Sequence, residues 1–358
     1  MSESNKRTYF FRPSRVTEAE PILNPDVVAT NARRGVETTL LLDTNVLIRM
    51  EYVVKGGNKR HLLKEHGLHN LVNLLGRCPP KSICLSPGLA FEEMPPACAE
   101  RSRIFYETFC AVHLPQFIDT PNCDHRAFAG KDRNYGYLDL EPARQALLAI
   151  PYTSLLYLII IDKSFSGGAI QKFKEFLRRL SCDLDILSAK ETEIAKYCFA
   201  EGSLAGEIKD VRDALRDNFL KTRGKKSKLI QTYDQAIATA FNGANDLAFI
   251  NAANIVQTRG LDGVPQDCWI ATCDKKLFAF SRIFHYLNVD GEAGKYAVTH
   301  AFSEQHRDEY WRQAVSAQQI LGLSRMQYHL KREVDPLSLP ELAKAAMDEA
   351  ARVFGQMT

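Results

Sequence analysis

Four carboxylates stand where an apolar run gives way to a helical pattern. Asp43 closes Leu40-Leu-Leu-Asp43, and Asn45 follows in Asp-Thr-Asn-Val-Leu-Ile48. Glu92, with Glu93 beside it, follows Leu85-Ser-Pro-Gly-Leu-Ala-Phe91. Asp246 stands in Gly243-Ala-Asn-Asp-Leu-Ala-Phe-Ile-Asn-Ala-Ala253, read as the first turn of a helix. Asp274 closes Trp269-Ile-Ala-Thr-Cys-Asp274. Carboxylates that converge repel one another and persist together mainly when a cation neutralises them. An oxygen-only set suits Mg²⁺ or Mn²⁺ rather than zinc. Such a cation can activate a water and stabilise the leaving oxygen of a phosphodiester. Each acid also has a plainer reading. Asp-Thr-Asn is a good helix N-cap cluster, and an acid in a first helical turn is favourable by itself.

For the acids to meet, the elements that carry them must be neighbours. Glu37–Asp43 holds an apolar and β-branched run between its two acids, which suits a strand buried on both faces of a parallel sheet. Further short strands are expected at Ser82–Ser86, Cys268–Thr272 and Tyr296–Thr299. Helical patterns lie between them, and that alternation predicts an α/β fold with a parallel sheet under helices. In open parallel sheets, ligands bind outside the carboxyl ends of the strands, where Asp43 and Asp274 fall. Between about Phe105 and Phe241 the pattern is mostly helical. Expected helices are Pro142–Ile150, Tyr152–Asp162, Ile170–Leu180, Ala189–Ala200, Leu204–Lys221 and Ile230–Phe241. Pro151 is read as the break between the first two. Leu155–Asp162 also carries a strand-like alternative that ends in an acid.

With these residues in place, the chain resembles the PIN-domain nucleases. Leu40–Ile48 is similar to the family's opening motif, and Leu85–Glu92 to its second acidic motif. Asn245–Ala253 is similar to the third and Ile270–Asp274 to the fourth, all in the family's order, with Tyr296–Thr299 as closing strand. The resemblance implies a three-layer α/β/α sandwich around a short parallel sheet. It also implies a Mg²⁺- or Mn²⁺-dependent endoribonuclease that hydrolyses RNA with a metal-activated water. The catalytic and metal-binding residues would be Asp43, Glu92, Asp246 and Asp274, with Asn45 and Thr272 in support. Glu92 is preferred over Glu93 on its spacing from Ser86. The chain departs from compact family members between Glu92 and Asp246, where extra helices intervene. The implied organisation is an N-terminal arm at 1–37 and a nuclease domain at 38–303, interrupted by a helical insertion at 115–228. A helical extension at 304–358 completes it. An RNA-binding or scaffolding module without turnover is the alternative, as is a nuclease for DNA or branched nucleic acid.

The wider composition fits a folded, globular protein. The chain has 358 residues, 45% hydrophobic and 25% charged, enough for a large core without disulfides or structural zinc. A formal net charge of +3 excludes a histone-like polycation but leaves room for a local basic groove. Nine cysteines without CxxC spacing argue for reduced, buried thiols and a cytoplasmic protein. The opening residues lack the apolar stretch of a secretory signal. Leu155–Ile161, the longest apolar run, is too short to span a bilayer. Candidate phosphate contacts are Lys221, Arg223, Lys225, Lys226, Lys228 and Lys275. Arg7, Arg12 and Arg15 alternate with Tyr9, Phe10 and Phe11. Those aromatics are expected to anchor the arm to the protein's own surface. The insertion or the C-terminal helices are expected to bind a protein partner or a second copy. His61, His66 and His69 are read as a surface helix rather than a zinc site.

Overall fold

The apolar run before Asp43 does form a buried strand, and it lies between two parallel neighbours. In the computed structural model, the described residues are 6–15, 20–117, 135–202, 204–222, 228–261, 263–289, 292–300, Phe302, Gln305, 308–328 and 338–355. Their strands are β1 (Tyr9–Phe11), β2 (Ser14–Arg15), β3 (Glu37–Leu42), β4 (Ile83–Ser86), β5 (Gln266–Thr272), β6 (Phe284–Val289) and β7 (Glu292–Thr299). The larger sheet has the order β1-β5-β3-β4, and β3 is parallel to both β4 and β5. Every residue of β5 is buried, as expected for a strand covered on both faces. The chain is a mixed α/β protein in which helix predominates.

The chain divides into two compact units. The first comprises 1–135, 249–281 and 285–298, and the second 136–248, 282–284 and 299–358. In the first unit, Leu40, Leu42, Trp269 and Ala271 alternate along β3 and β5 and enter one apolar core. There they join Val46, Leu47 and Met50 of the helix Thr44–Lys55, and Phe109 of the helix Pro96–His113. Burying side chains of this size contributes on the order of 1.5–3 kcal/mol each, which holds the strand ends in place.

The N-terminal segment is structural, not a loose lead-in. β1 pairs antiparallel with β5, placing Tyr9 opposite Thr272. Tyr9 stacks on Phe278 at 4.6 Å, and Phe11 is buried, so the aromatics do anchor this segment to the protein. Arg12 pairs with Asp267 at 3.2 Å, and Arg15 donates to the Ser281 carbonyl at 3.0 Å. The segment passes tightly over Gly67, whose φ is +74°. A Cβ there would lie 2.7 Å from the Lys6 carbonyl carbon and 2.8 Å from the Arg7 nitrogen. Only glycine suits that backbone and that approach.

Three expectations are corrected. Tyr296–Thr299 does not close the parallel sheet; it belongs to β7, in a separate sheet of order β2-β6-β7. Its sequence neighbour β6 supplies the pairing edge, a shorter route than a return to the main sheet. Pro151 does not end a helix, because Pro142–Ser164 is continuous through it. The carbonyl that Pro151 leaves without a donor is that of Leu147, a residue 64% exposed, where water can satisfy it. Beyond it, Tyr152 to Ile161 are all buried, and that burial favours continuation. This helix is long and apolar enough to cross a membrane, but 72% of its apolar window is buried inside the protein. Finally, Asp246 does not open a helix. It lies within Tyr233–Arg259, which runs through Gly243 without a break.

The second unit contains an unusual core element. In the helix Ala189–Phe199 every residue from Lys190 to Phe199 is buried, the charged ones included. Glu193 and Lys196 pair at 2.6 Å, and burial raises the Glu193 carboxyl. Burial also lowers the Lys190 ammonium, against the opposing charge of Glu191. Between its lowered folded value and the ordinary range near ~10.4, the unfolded chain binds more protons at Lys190 than the folded one. Stability from this group therefore rises with pH across that window. The stability of Lys190→Met relative to wild type is expected to fall from pH 7 to pH 10, as the unfolded wild-type chain loses its extra proton. Urea unfolding at both pH values measures it; an equal difference at the two would refute the assignment.

Candidate functional site

The rim of the larger sheet is held by one hydroxyl. Asp43 follows β3 and Thr272 ends β5, so the parallel register brings them side by side. The Asp43 backbone nitrogen donates to the Ala271 carbonyl at 3.0 Å. The Thr272 hydroxyl donates to Asp43 Oδ2 at 2.5 Å. It accepts from Asn45 Nδ2 at 3.3 Å and from the Asp274 backbone nitrogen at 2.9 Å. A hydroxyl has one proton and two lone pairs, and all three are used here. The proton of Thr272 must therefore point at Asp43.

Asn45 closes the arrangement from the other side. Its Nδ2 also donates to Asp43 Oδ2, while its Oδ1 accepts from the Cys273 backbone nitrogen at 2.6 Å. Asp43 is buried, so these hydrogen bonds to its charged oxygen operate away from bulk water. The helix Thr44–Lys55 starts at Asp43, yet the Asp43 side chain makes no capping hydrogen bond to that helix. Its carboxylate is turned towards Thr272 and Asn45 instead. The capping role that Asp-Thr-Asn suggests is not what this side chain does.

Asp274 begins the next element. Its Oδ1 accepts from the Lys276 backbone nitrogen at 2.7 Å, at the start of the helix Lys275–Ser281. Arg49 donates to the carbonyls of His66 and Cys273, at 2.8 and 3.3 Å, and ties the rim to the helix that Asp43 opens. Burial pushes the Cys273 thiol up to about 11, against the lowering effect of Arg49. It is a neutral, packed thiol at neutral pH and not a nucleophile. Cys268 is buried as well, and its thiol is raised by the same cause. Both are free, as read from the sequence.

The second acidic motif reaches the same corner through Glu93. Thr44, the residue after Asp43, donates its hydroxyl to Glu93 Oε2 at 2.6 Å. Glu92 is exposed on the helix Gly88–Glu93. Spacing from Ser86 favours Glu92, while Glu93 is the acid that meets the hydroxyl of the residue after Asp43. Asp246 belongs to the second unit, where Asn218 Nδ2 donates to its Oδ2 at 3.1 Å. Asn218 is a buried partner that no motif in the sequence singled out.

Among the basic candidates, Lys275 is exposed beside Asp274. Lys221 pairs with Asp217 at 2.5 Å, which offsets its charge, and Lys228 is exposed. Arg223, Lys225 and Lys226 lie outside the described residues.

Among the described residues, no three His, Cys, Asp or Glu side chains gather as a metal site. The donors at the rim are oxygens only. Mg²⁺ commonly keeps several waters and takes just one or two carboxylates from the protein, with substrate phosphates completing its shell. Asp43, held by Thr272, and Asp274, whose backbone nitrogen meets the same hydroxyl, are compatible with that sparse mode. They are unsuited to a caged zinc.

No protein-family model matches the chain, and no curated protein or solved structure is significantly similar to it.

Proposed function

We propose that the chain is a divalent-cation-dependent endoribonuclease built on a PIN-like α/β/α sandwich in its first unit. The observation that carries the reading is the Asp43–Thr272–Asn45 network at the carboxyl ends of two adjacent parallel strands, with the Asp274 backbone nitrogen on the same hydroxyl. That is where open parallel sheets bind their ligands. The cation ligands in this proposal are Asp43 and Asp274, supplemented by Glu93 or Glu92, with Asp246 as the remaining acid of the motif set.

When bound, Mg²⁺ or Mn²⁺ would supply an activated water and charge stabilisation for the leaving oxygen. The chain's own residues hold the charge in place. Thr272 and Asn45 fix Oδ2 of Asp43 and so set the plane of its carboxylate. Arg49 and the Cys273 backbone keep the loop after β5 from moving away. Lys275 stands where it can meet a substrate phosphate. No side-chain nucleophile is needed, in keeping with a neutral Cys273.

The test is cleavage of a short single-stranded RNA with Mn²⁺, with Mg²⁺ and with excess chelator. Cleavage is expected with either metal and not with chelator, and Asp274→Asn is expected to lower it tenfold or more. Cleavage that survives the chelator, or that Asp274→Asn leaves untouched, refutes the proposal. RNA binding without turnover would favour a binding module, a reading supported by the absence of a three-ligand cluster among the described residues. The same assay with single-stranded and branched DNA sets the substrate class.

A further inference from the structure

The first unit carries a second feature that the carboxylate rim does not use. The helices Arg60–Glu65 and His69–Leu75, together with the end of Pro96–His113, enclose a groove of about 1010 Å³. Arg60, Lys64 and Arg77 line it with His61, His69 and His113, and no carboxylate does. Arg60, Lys64 and Arg77 are exposed and make no ion pair among the described residues. Their charges are therefore not spent on neighbouring acids.

A plainer role exists for cations in this place. Two helices end here, at Leu75 and His113, and each presents a partial negative charge of about half a unit at its carboxyl terminus. Together that is about one unit. Three permanent cations exceed it, so the groove keeps a net positive field. The histidines are placed to add hydrogen bonds. His69 Nε2 lies 3.0 Å from Asn73 Nδ2, which fixes that ring. His113 packs against Phe109 at 4.8 Å, and its Nε2 is buried without a hydrogen-bond partner in the protein. A buried polar nitrogen that lines a groove and lacks a partner points to a ligand atom there. Burial, followed by the charge of Arg60, lowers the His113 pKa.

We infer that this groove binds the phosphodiester backbone of a single-stranded RNA. It would form a second nucleic-acid contact, because Arg77 precedes the amino end of β4 while Asp43 and Asp274 follow carboxyl ends. The choice of RNA rests on the proposed function; the polyanion site itself rests on the groove. The geometry matches a backbone reader in which phosphate contacts position the strand and carry no sequence information.

Binding of a fluorescent ten-nucleotide RNA is measured by anisotropy in metal-free buffer with chelator. The chelator removes the cation that the proposed cleavage requires, and gel analysis of the RNA checks that it stays intact. The triple variant Arg60→Gln, Lys64→Gln, Arg77→Gln is expected to bind about tenfold more weakly or worse. Its log Kd against log salt should be shallower by about 2, since each lost phosphate contact removes about 0.7. All three residues are exposed, and circular dichroism checks that the fold is kept. Unchanged affinity and slope overturn the inference. So does equal competition by polyglutamate of the same charge, or displacement of the RNA by inorganic phosphate at equal phosphate concentration. His113→Ala is expected to weaken binding further without altering the salt slope. A failure of RNA cleavage alone leaves this result standing.

Discussion

Asp43→Asn is expected to keep the fold and lose at least a hundredfold in metal-dependent RNA cleavage. The pairing at the rim makes this substitution informative. Both Thr272 and Asn45 donate to the same oxygen, Oδ2. An asparagine at 43 can place its amide oxygen there and keep both hydrogen bonds. What it removes is the negative charge, and charge is what a hard cation requires. Asp43→Ala differs, because it leaves the Thr272 hydroxyl and the Asn45 amide facing an empty space. Thr272 is fully buried, so that variant should lose about 1–3 kcal/mol of stability as well as activity. The pair separates two roles. If Asp43 only fastens β3 to β5, the asparagine variant will cleave RNA like the wild type. If it holds the cation, the asparagine variant will be stable and inactive. Thermal unfolding and initial cleavage rates, measured on both variants, decide between them.

The largest effect on stability is expected at Gly243. A Cβ added there would lie 2.7 Å from Leu155 Cδ1 and 2.9 Å from Phe219 Cδ1. Both neighbours are buried, at 2% and 1% exposure, so neither can turn out into solvent. Two terms oppose each other. Replacing glycine inside a helix by alanine gains about 1 kcal/mol in helix propensity. Overpacking a filled core costs about 1–3 kcal/mol. Gly243→Ala should therefore fall within about 1–2 kcal/mol of wild type. Gly243→Val adds two more methyl groups at the same contact and a β-branched penalty. It should cost more than about 3 kcal/mol and lower the midpoint of chemical unfolding markedly. Combining it with Leu155→Ala should recover part of the loss, since the cavity of one receives the excess of the other. If the double variant is as unstable as the sum of the two single ones, Leu155 is not the contact that matters.

The sheet was readable because its strands announce themselves. Thr38–Leu42 and Cys268–Thr272 are continuous apolar or β-branched runs, a pattern that a doubly covered parallel strand requires. Their adjacency was only a condition for the acids to meet, and Thr272 came in through the family resemblance; the register of β3 on β5 supplies the Asp43–Thr272 pair. What stayed hidden depended on distant partners. Tyr9-Phe-Phe11 is too short to read as a strand, and the edge it completes lies far along the chain. The sequence reads as a helix at Ile230–Phe241 and another opening at Asp246, whereas Gly243 lies inside one helix and permits a close approach to Leu155 and Phe219 that no local pattern encodes. Pro151 likewise marked a boundary, which burial of the following residues overrode. Glu93 and Glu92 differ only in which way each side chain turns, and that is set by packing.

The pairing of Asp43 with Thr272 spans 229 positions of sequence. At synthesis rates of about 5–20 residues per second, Asp43 emerges from the ribosome roughly 10–45 s before its partner. During that interval β3 has no β5 beside it, and β1 has no edge to join. The rim that would hold a cation therefore cannot assemble on an unfinished chain. A premature stop anywhere before residue 266 would leave a product with Asp43 but without the hydroxyl and backbone that orient it. The long intervening helical segment thus acts as a timer, withholding the proposed hydrolytic centre until about three quarters of the protein has been made.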